Sequence, residues 1–147
     1  MEKESILSIE KSNTLRELGV EMNDAAFVSY LKKNETIQTD IVVTTLSSDF
    51  KNSDCSTLPH VYRYTLAELL YKLPDNIAEN SLYIDKSDCS IYYSLDFYDE
   101  PEEALIFKKG DTLLDAVYDM YCWYVENEAS IRIQQNKFDA KLLSAIK

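Results

Sequence analysis

Residues 111–128 read DTLLDAVYDMYCWYVENE. At about 100° per residue, Leu113, Leu114, Val117, Met120, Tyr121, Tyr124 and Val125 fall on one broad apolar arc. Asp115, Asp119, Cys122 and Glu126 form the opposite stripe, and Trp123 lies at its border beside Ala116. Asp111 or Thr112 can cap the segment, Thr112 with Asp115 being a capping-box variant. The stretch therefore predicts an amphipathic helix that closes a core with one side and turns carboxylates outward on the other. Carboxylates four residues apart on a helix repel by about 0.2–0.5 kcal/mol, so such a row belongs in solvent, beside a cation or against a basic surface. Tryptophan is enriched among the residues that anchor interfaces. Asp115, Asp119, Trp123 and Glu126 are thus the candidate protein-interaction residues. The plainer reading is a solvated face, with Trp123 folded over a neighbouring loop or under the C-terminal tail.

Three strands are expected upstream, at residues 81–85 (SLYID), 90–98 (SIYYSLDFY) and 103–109 (EALIFKK). In the middle one Ile91, Tyr93, Leu95 and Phe97 alternate with Tyr92, Ser94, Asp96 and Tyr98, the period of a strand with one face on a core. Short connections suggest an antiparallel meander, and DEPEE at 99–103 a solvated turn. Residues 65–73 place Thr65 and Glu68 in capping-box register under Leu66, Leu69, Leu70 and Leu73, and Pro74 stops the helix. FVSYLKK from Phe27 and part of TIQTDIVVTTL at 36–46 predict two earlier strands. Ser8 caps an opening helix to about Leu18, with Gly19 as its left-handed exit. Residues 47–63, SSDFKNSDCSTLPHVYR, have the Ser, Asn and Asp content of a loop insertion. Residues 129–147 end the chain as a basic helical extension, with Phe138, Leu142, Leu143 and Ile146 at helical spacing. Together these predict an α+β fold, a single domain over residues 1–147 with an antiparallel sheet of about four to five strands packed by two to four helices.

The chain has 147 residues, enough for one sizeable core, and 46% of them are apolar. Two glycines and three prolines leave no Gly-rich phosphate loop. The net charge of -11 is uneven: residues 1–64 carry -3, 65–128 carry -11, and 129–147 carry +3. Such a field repels nucleic acid and anionic lipid and favours a partner with a basic surface. Neither a basic leader nor an apolar run of membrane-spanning length occurs, which predicts a cytoplasmic protein that does not enter a membrane.

SIEKSNTLRELGV from Ser8, YRYTLAELLYKLP from Tyr62 and GDTLLDAVYDMYCWYVENE from Gly110 resemble, in their order, a loose group of small uncharacterised proteins of phages, prophages and mobile elements in intestinal bacteria. The shared motifs span roughly residues 8–127 and are core and capping features. The resemblance implies such an origin and an α+β fold; it carries no assigned activity or catalytic residues. The segments 47–63 and 129–147 lie outside the matched phrases.

Cys55, Cys89 and Cys122 are an odd number at wide spacing, which points to reduced thiols rather than a disulfide framework. With His60 they match a tetrahedral zinc set in residue type but lack a C-x-x-C pair, and His60 is the single candidate base for a cysteine nucleophile. Asp96, Asp99, Glu100, Glu102 and Glu103 lack the calcium-loop pattern. No cofactor, metal or catalytic set is therefore expected. Tyr92 and Tyr98 present aromatic rings that suit base stacking, but without neighbouring cations phosphates would be repelled, so a covering helix or partner is the better reading. The first expectation is a non-enzymatic accessory protein binding another protein through its acidic surface. The alternatives are an acidic DNA mimic that inhibits a nucleic-acid-binding defence enzyme, and an enzyme of unrecognised type. Self-association would run through the C-terminal segment.

Overall fold

The computed structural model describes residues 6–96 and 101–146. Their order is α1 (Ile9–Glu17), β1 (Phe27–Asn34), β2 (Thr39–Leu46), α2 (Ser47–Lys51), β3 (His60–Arg63), α3 (Leu66–Lys72), β4 (Asn76–Ile77), β5 (Asn80–Asp85), β6 (Ser90–Ser94), β7 (Ile106–Lys109), α4 (Leu113–Glu126) and α5 (Glu128–Ile146), with short 3-10 turns at Asp54–Thr57 and Pro101–Glu103. The fold is α+β with antiparallel strands, as the sequence predicts. The strands are shared between two sheets, ordered β2-β1-β3 and β4-β5-β6-β7. Two units divide the chain, Met1–Glu68 and Leu69–Lys147.

In the first unit, the Ser8 side chain accepts the Lys11 N–H at 3.1 Å and starts α1. Gly19, at φ +92°, ends it: its own N–H reaches the Arg16 carbonyl at 3.0 Å and that of Val20 reaches Leu15 at 3.1 Å, the two bonds of a Schellman motif. The hairpin pairs Phe27 with Leu46 and Asn34 with Thr39, and Gln38 takes its left-handed position. Residues 47–63, expected as a loop insertion, are ordered structure instead. They contain α2, a 3-10 turn and β3, which pairs with β1 from Phe27↔Arg63 to Tyr30↔His60. Phe50 supplies the physical reason, because it is buried and packs its ring 5.2 Å from Tyr30 and 4.8 Å from His60. An apolar anchor and a strand pairing thus fix a segment whose composition is otherwise that of a turn.

Thr65 and Glu68 close the reciprocal capping box: the Glu68 N–H donates to Thr65 Oγ1 at 3.2 Å and the Thr65 N–H to Glu68 Oε1 at 3.0 Å. The other carboxylate oxygen, Oε2, accepts the Ala26 N–H at 3.0 Å, so one side chain ties a helix start to the entry of β1.

The second unit is the predicted meander. Its registers pair Tyr83 with Tyr92 and Tyr92 with Phe107, and Ile91 and Tyr93 are buried on the other face. Asp85 Oδ1 turns the chain between β5 and β6 by accepting from the Ser87 N–H, the Ser87 hydroxyl and the Asp88 N–H at 3.1, 2.7 and 3.2 Å. Those donors hold its carboxyl below the usual range. β6 stops at Ser94, short of the expected end, and Leu95 is 65% exposed rather than core. Pairing sets that limit, since β7 reaches only Tyr93 and β5 only Ser94. The expectations for Phe97, Tyr98, Asp99 and Glu100 lie outside the described residues. No described helix is long and apolar enough to cross a membrane.

Candidate functional site

α4 begins where the sequence places it, with Thr112 Oγ1 accepting the Asp115 N–H at 3.1 Å. Its apolar arc packs on β6 and β7, burying Leu114, Ala116, Val117, Tyr118, Met120 and Tyr121. Ala116 and Tyr118 widen the buried arc beyond the residues that periodicity singles out, leaving only a narrow stripe on the outside. Asp119 and Glu126 occupy that stripe exposed, and Trp123 lies beside them half-buried. Neither acid forms an ion pair or a side-chain hydrogen bond among the described residues.

Asp115 is different. It is half-buried at the first turn, and its Cβ would stand 2.7 Å from a Cβ on Gly110. Gly110 is therefore the residue that lets the strand end approach the helix start, and Asp115 belongs partly to that junction. A carboxylate in the first turn is also favoured by the helix dipole. Of the candidate interaction residues, Asp119, Glu126 and the exposed part of Trp123 form the outward surface, and Asp115 stands at its edge.

Within α4, Asp115 and Asp119 stand four residues apart, about 6 Å of axial rise, while Asp111 precedes the Thr112 cap and lies outside the helix. Two cations of this unit are engaged elsewhere: Lys109 binds Asp88 at 2.9 Å and Arg132 binds Glu128 at 3.3 Å. Asn127 ends the helix, its side-chain amide donating to the Trp123 carbonyl at 2.8 Å, which fixes the backbone beneath the tryptophan.

Cys55 and His60 lie in the first unit, and Cys89 and Cys122 in the second. Among the described residues no three His, Cys, Asp or Glu side chains are arranged to hold a metal ion. His60 directs Nδ1 to the Leu58 carbonyl at 2.7 Å, and its ring packs against Phe50 and Tyr62. Burial, with the neighbouring Cys55 thiol adding to it, holds the Tyr30 hydroxyl above its ordinary pKa. The histidine and the thiol of that unit are thus each engaged with an aromatic neighbour.

Tyr83, Tyr92 and Phe107 form a feature the sequence did not bring together, a ladder of rings across β5, β6 and β7 with centroid spacings of 5.5 and 5.8 Å. The registers responsible are long-range, but the alternation of residues 90–98 already put Tyr92 on that face. Ser90 and Ser94, its neighbours there, are buried. Tyr83, Tyr92 and Phe107 are themselves half-buried.

No known protein family matches the chain, and neither the curated proteins nor the solved structures contain a match.

Proposed function

We propose that the chain is a non-enzymatic accessory protein, of the phage or mobile-element kind its motif order resembles, that binds another protein through the acidic stripe of α4. The observation that carries this reading is the pair Asp119 and Glu126, exposed and without a cationic neighbour among the described residues, beside a half-buried Trp123. A basic partner side chain would relieve the repulsion within the row, and the indole would supply apolar contact area. Capture of partners from a host lysate by the wild-type chain and by an Asp119→Asn, Glu126→Gln, Trp123→Ala variant tests it. Loss of a discrete partner in the variant supports the reading, whereas identical recovery removes the stripe from it.

The concentration of acids between residues 85 and 128 supports a second reading, a DNA mimic whose carboxylates take the places of phosphates on a nucleic-acid-binding enzyme. Inhibition of such an enzyme would then weaken steeply with added salt, and salt-independent inhibition would rule it out. We also assign self-association to α5, where Ile133, Leu142, Leu143 and Ile146 are all exposed.

A further inference from the structure

The first unit contains a groove of about 470 Å³ between α1 and its sheet. Small-molecule sites range over about 300–1,000 Å³, so the volume suits a compact ligand. Ile9, Asn13 and Arg16 form one wall at the i, i+4, i+7 spacing of a single helix face. Leu31, Val42 and Val61 come from three neighbouring strands and make the apolar floor. The floor is open because α1 packs towards β3, leaving β2 as an uncovered edge strand. Leu31 is 43% exposed and Val42 55%, an unusual state for side chains on the inner side of a helix-covered sheet.

The charge of the groove is opposite to that of the chain. Although the sequence has 26 acids against 15 bases, no acid lines the groove and Arg16 does. Arg16 is exposed and its guanidinium has no partner among the described residues. A second cation lies under the other end. Arg63 donates from Nε to the Leu7 carbonyl at 2.8 Å and from Nη1 to Ser29 Oγ at 2.9 Å, with Thr44 Oγ1 at 3.4 Å. Ser29 is itself part of the groove lining. All these acceptors are neutral, and no carboxylate pairs with Arg63 among the described residues. Burial alone holds its pKa below the usual arginine value, as expected for a cation short of counter-charge.

We propose that this groove binds a small anionic amphiphile, a carboxylate carried on an apolar chain, with Arg16 meeting the carboxylate and Leu31, Val42 and Val61 covering the chain. Arg63 acts through the Ser29 hydroxyl beneath the floor, adding positive potential without direct contact. The site lies wholly in the first unit and is independent of the acidic stripe of α4.

The full-length, 15N-labelled chain titrated with decanoate below its micellisation tests the assignment, with amide shifts of Asn13, Ser29, Leu31 and Val61 as the readout. Decanol and decylammonium are the controls. Saturable shifts with decanoate, at least about tenfold weaker with either control, are expected. Arg16→Gln should weaken decanoate by about fivefold or more, and Val42→Asp, which puts a carboxylate in the floor, should abolish the shifts. Both positions are exposed, and unchanged spectra outside the groove verify that each variant is folded. The assignment is overturned by shifts that never saturate, by equal affinity for the alcohol or the ammonium, or by a decanoate affinity that neither variant changes.

Discussion

α4 and α5 are consecutive helices joined through Asn127, and they relate to the rest of their unit in opposite ways. The first has 14 residues and buries six of them; the second has 19 and buries Ile131 alone. Length therefore does not measure anchorage. The breadth of the apolar arc does, because α4 presents apolar side chains over more than half its circumference and meets a sheet face of matching width. In α5 the line Ile131, Gln135, Phe138, Leu142 and Ile146 outlasts its support. Burial falls from 9% exposure at Ile131 to 81% at Ile146. Near its start α5 is held by packing on β4 and α4 and by Gln135, which accepts the Ala78 N–H at 2.8 Å. Beyond that it depends on the helix propensity of its Ala, Lys and Leu content.

The largest effect should come from the middle of α4. Met120 is fully buried, so Met120→Ala should cost about 2–5 kcal/mol, by lost transfer energy and the cavity left behind. Leu143→Ala, at the far end of α5, should stay within about 0.5 kcal/mol. Urea unfolding of both variants measures the contrast, and equal losses would break it.

Next comes the junction that starts α4. A methyl at Gly110 would stand 2.7 Å from Asp115 Cβ and 2.9 Å from the Ala116 nitrogen, the latter backbone that cannot rotate aside. Gly110→Ala should therefore destabilise by about 1–3 kcal/mol through overpacking. Thermal melts near wild type would show that the strand end and the helix can separate freely. The cap one turn away is worth less. Thr112→Ala removes the acceptor for the Asp115 N–H and should cost about 1 kcal/mol, with Thr112→Ser restoring most of it.

The features that the sequence made legible are those whose physics is local. Ser8 and Gly19 bound α1, Thr65 and Glu68 cap α3, and the apolar arc of residues 113–125 marks α4, because each depends on residues within a few positions. What escaped depends on distant partners. Segment 47–63 has a polar composition, and the placement of Phe50 between Tyr30 and His60, together with the pairing of β3 on β1, orders it. Nothing in HVYR announces that β1 is its partner, so the division of strands between two sheets was equally hidden. In the stripe of α4, periodicity put Asp115 with Asp119 and Glu126, but the absence of a side chain at Gly110 draws it half under cover. The groove of the first unit was beyond reach for the same reason. Arg16, Val42 and Arg63 are far apart in the chain and share a location only after the hairpin and β3 have paired.

The smallest stability change sharpens the comparison most. Leu142→Ser together with Leu143→Ser alters two side chains that are 47% and 60% exposed, so at high dilution the unfolding midpoint should move by no more than about 0.5 kcal/mol. If these residues are the surface through which copies associate, wild-type stability should rise with protein concentration, because association binds the folded state alone. The variant should lose that dependence, and sedimentation velocity should show it as monomer where the wild type is larger. A wild-type chain that sediments as monomer at every concentration would leave the apolar end of α5 without that role. Amide exchange supplies the independent measure. Protection in α4 should approach that of global unfolding, while amides beyond Phe138 exchange by local fraying, since no tertiary burial opposes their opening.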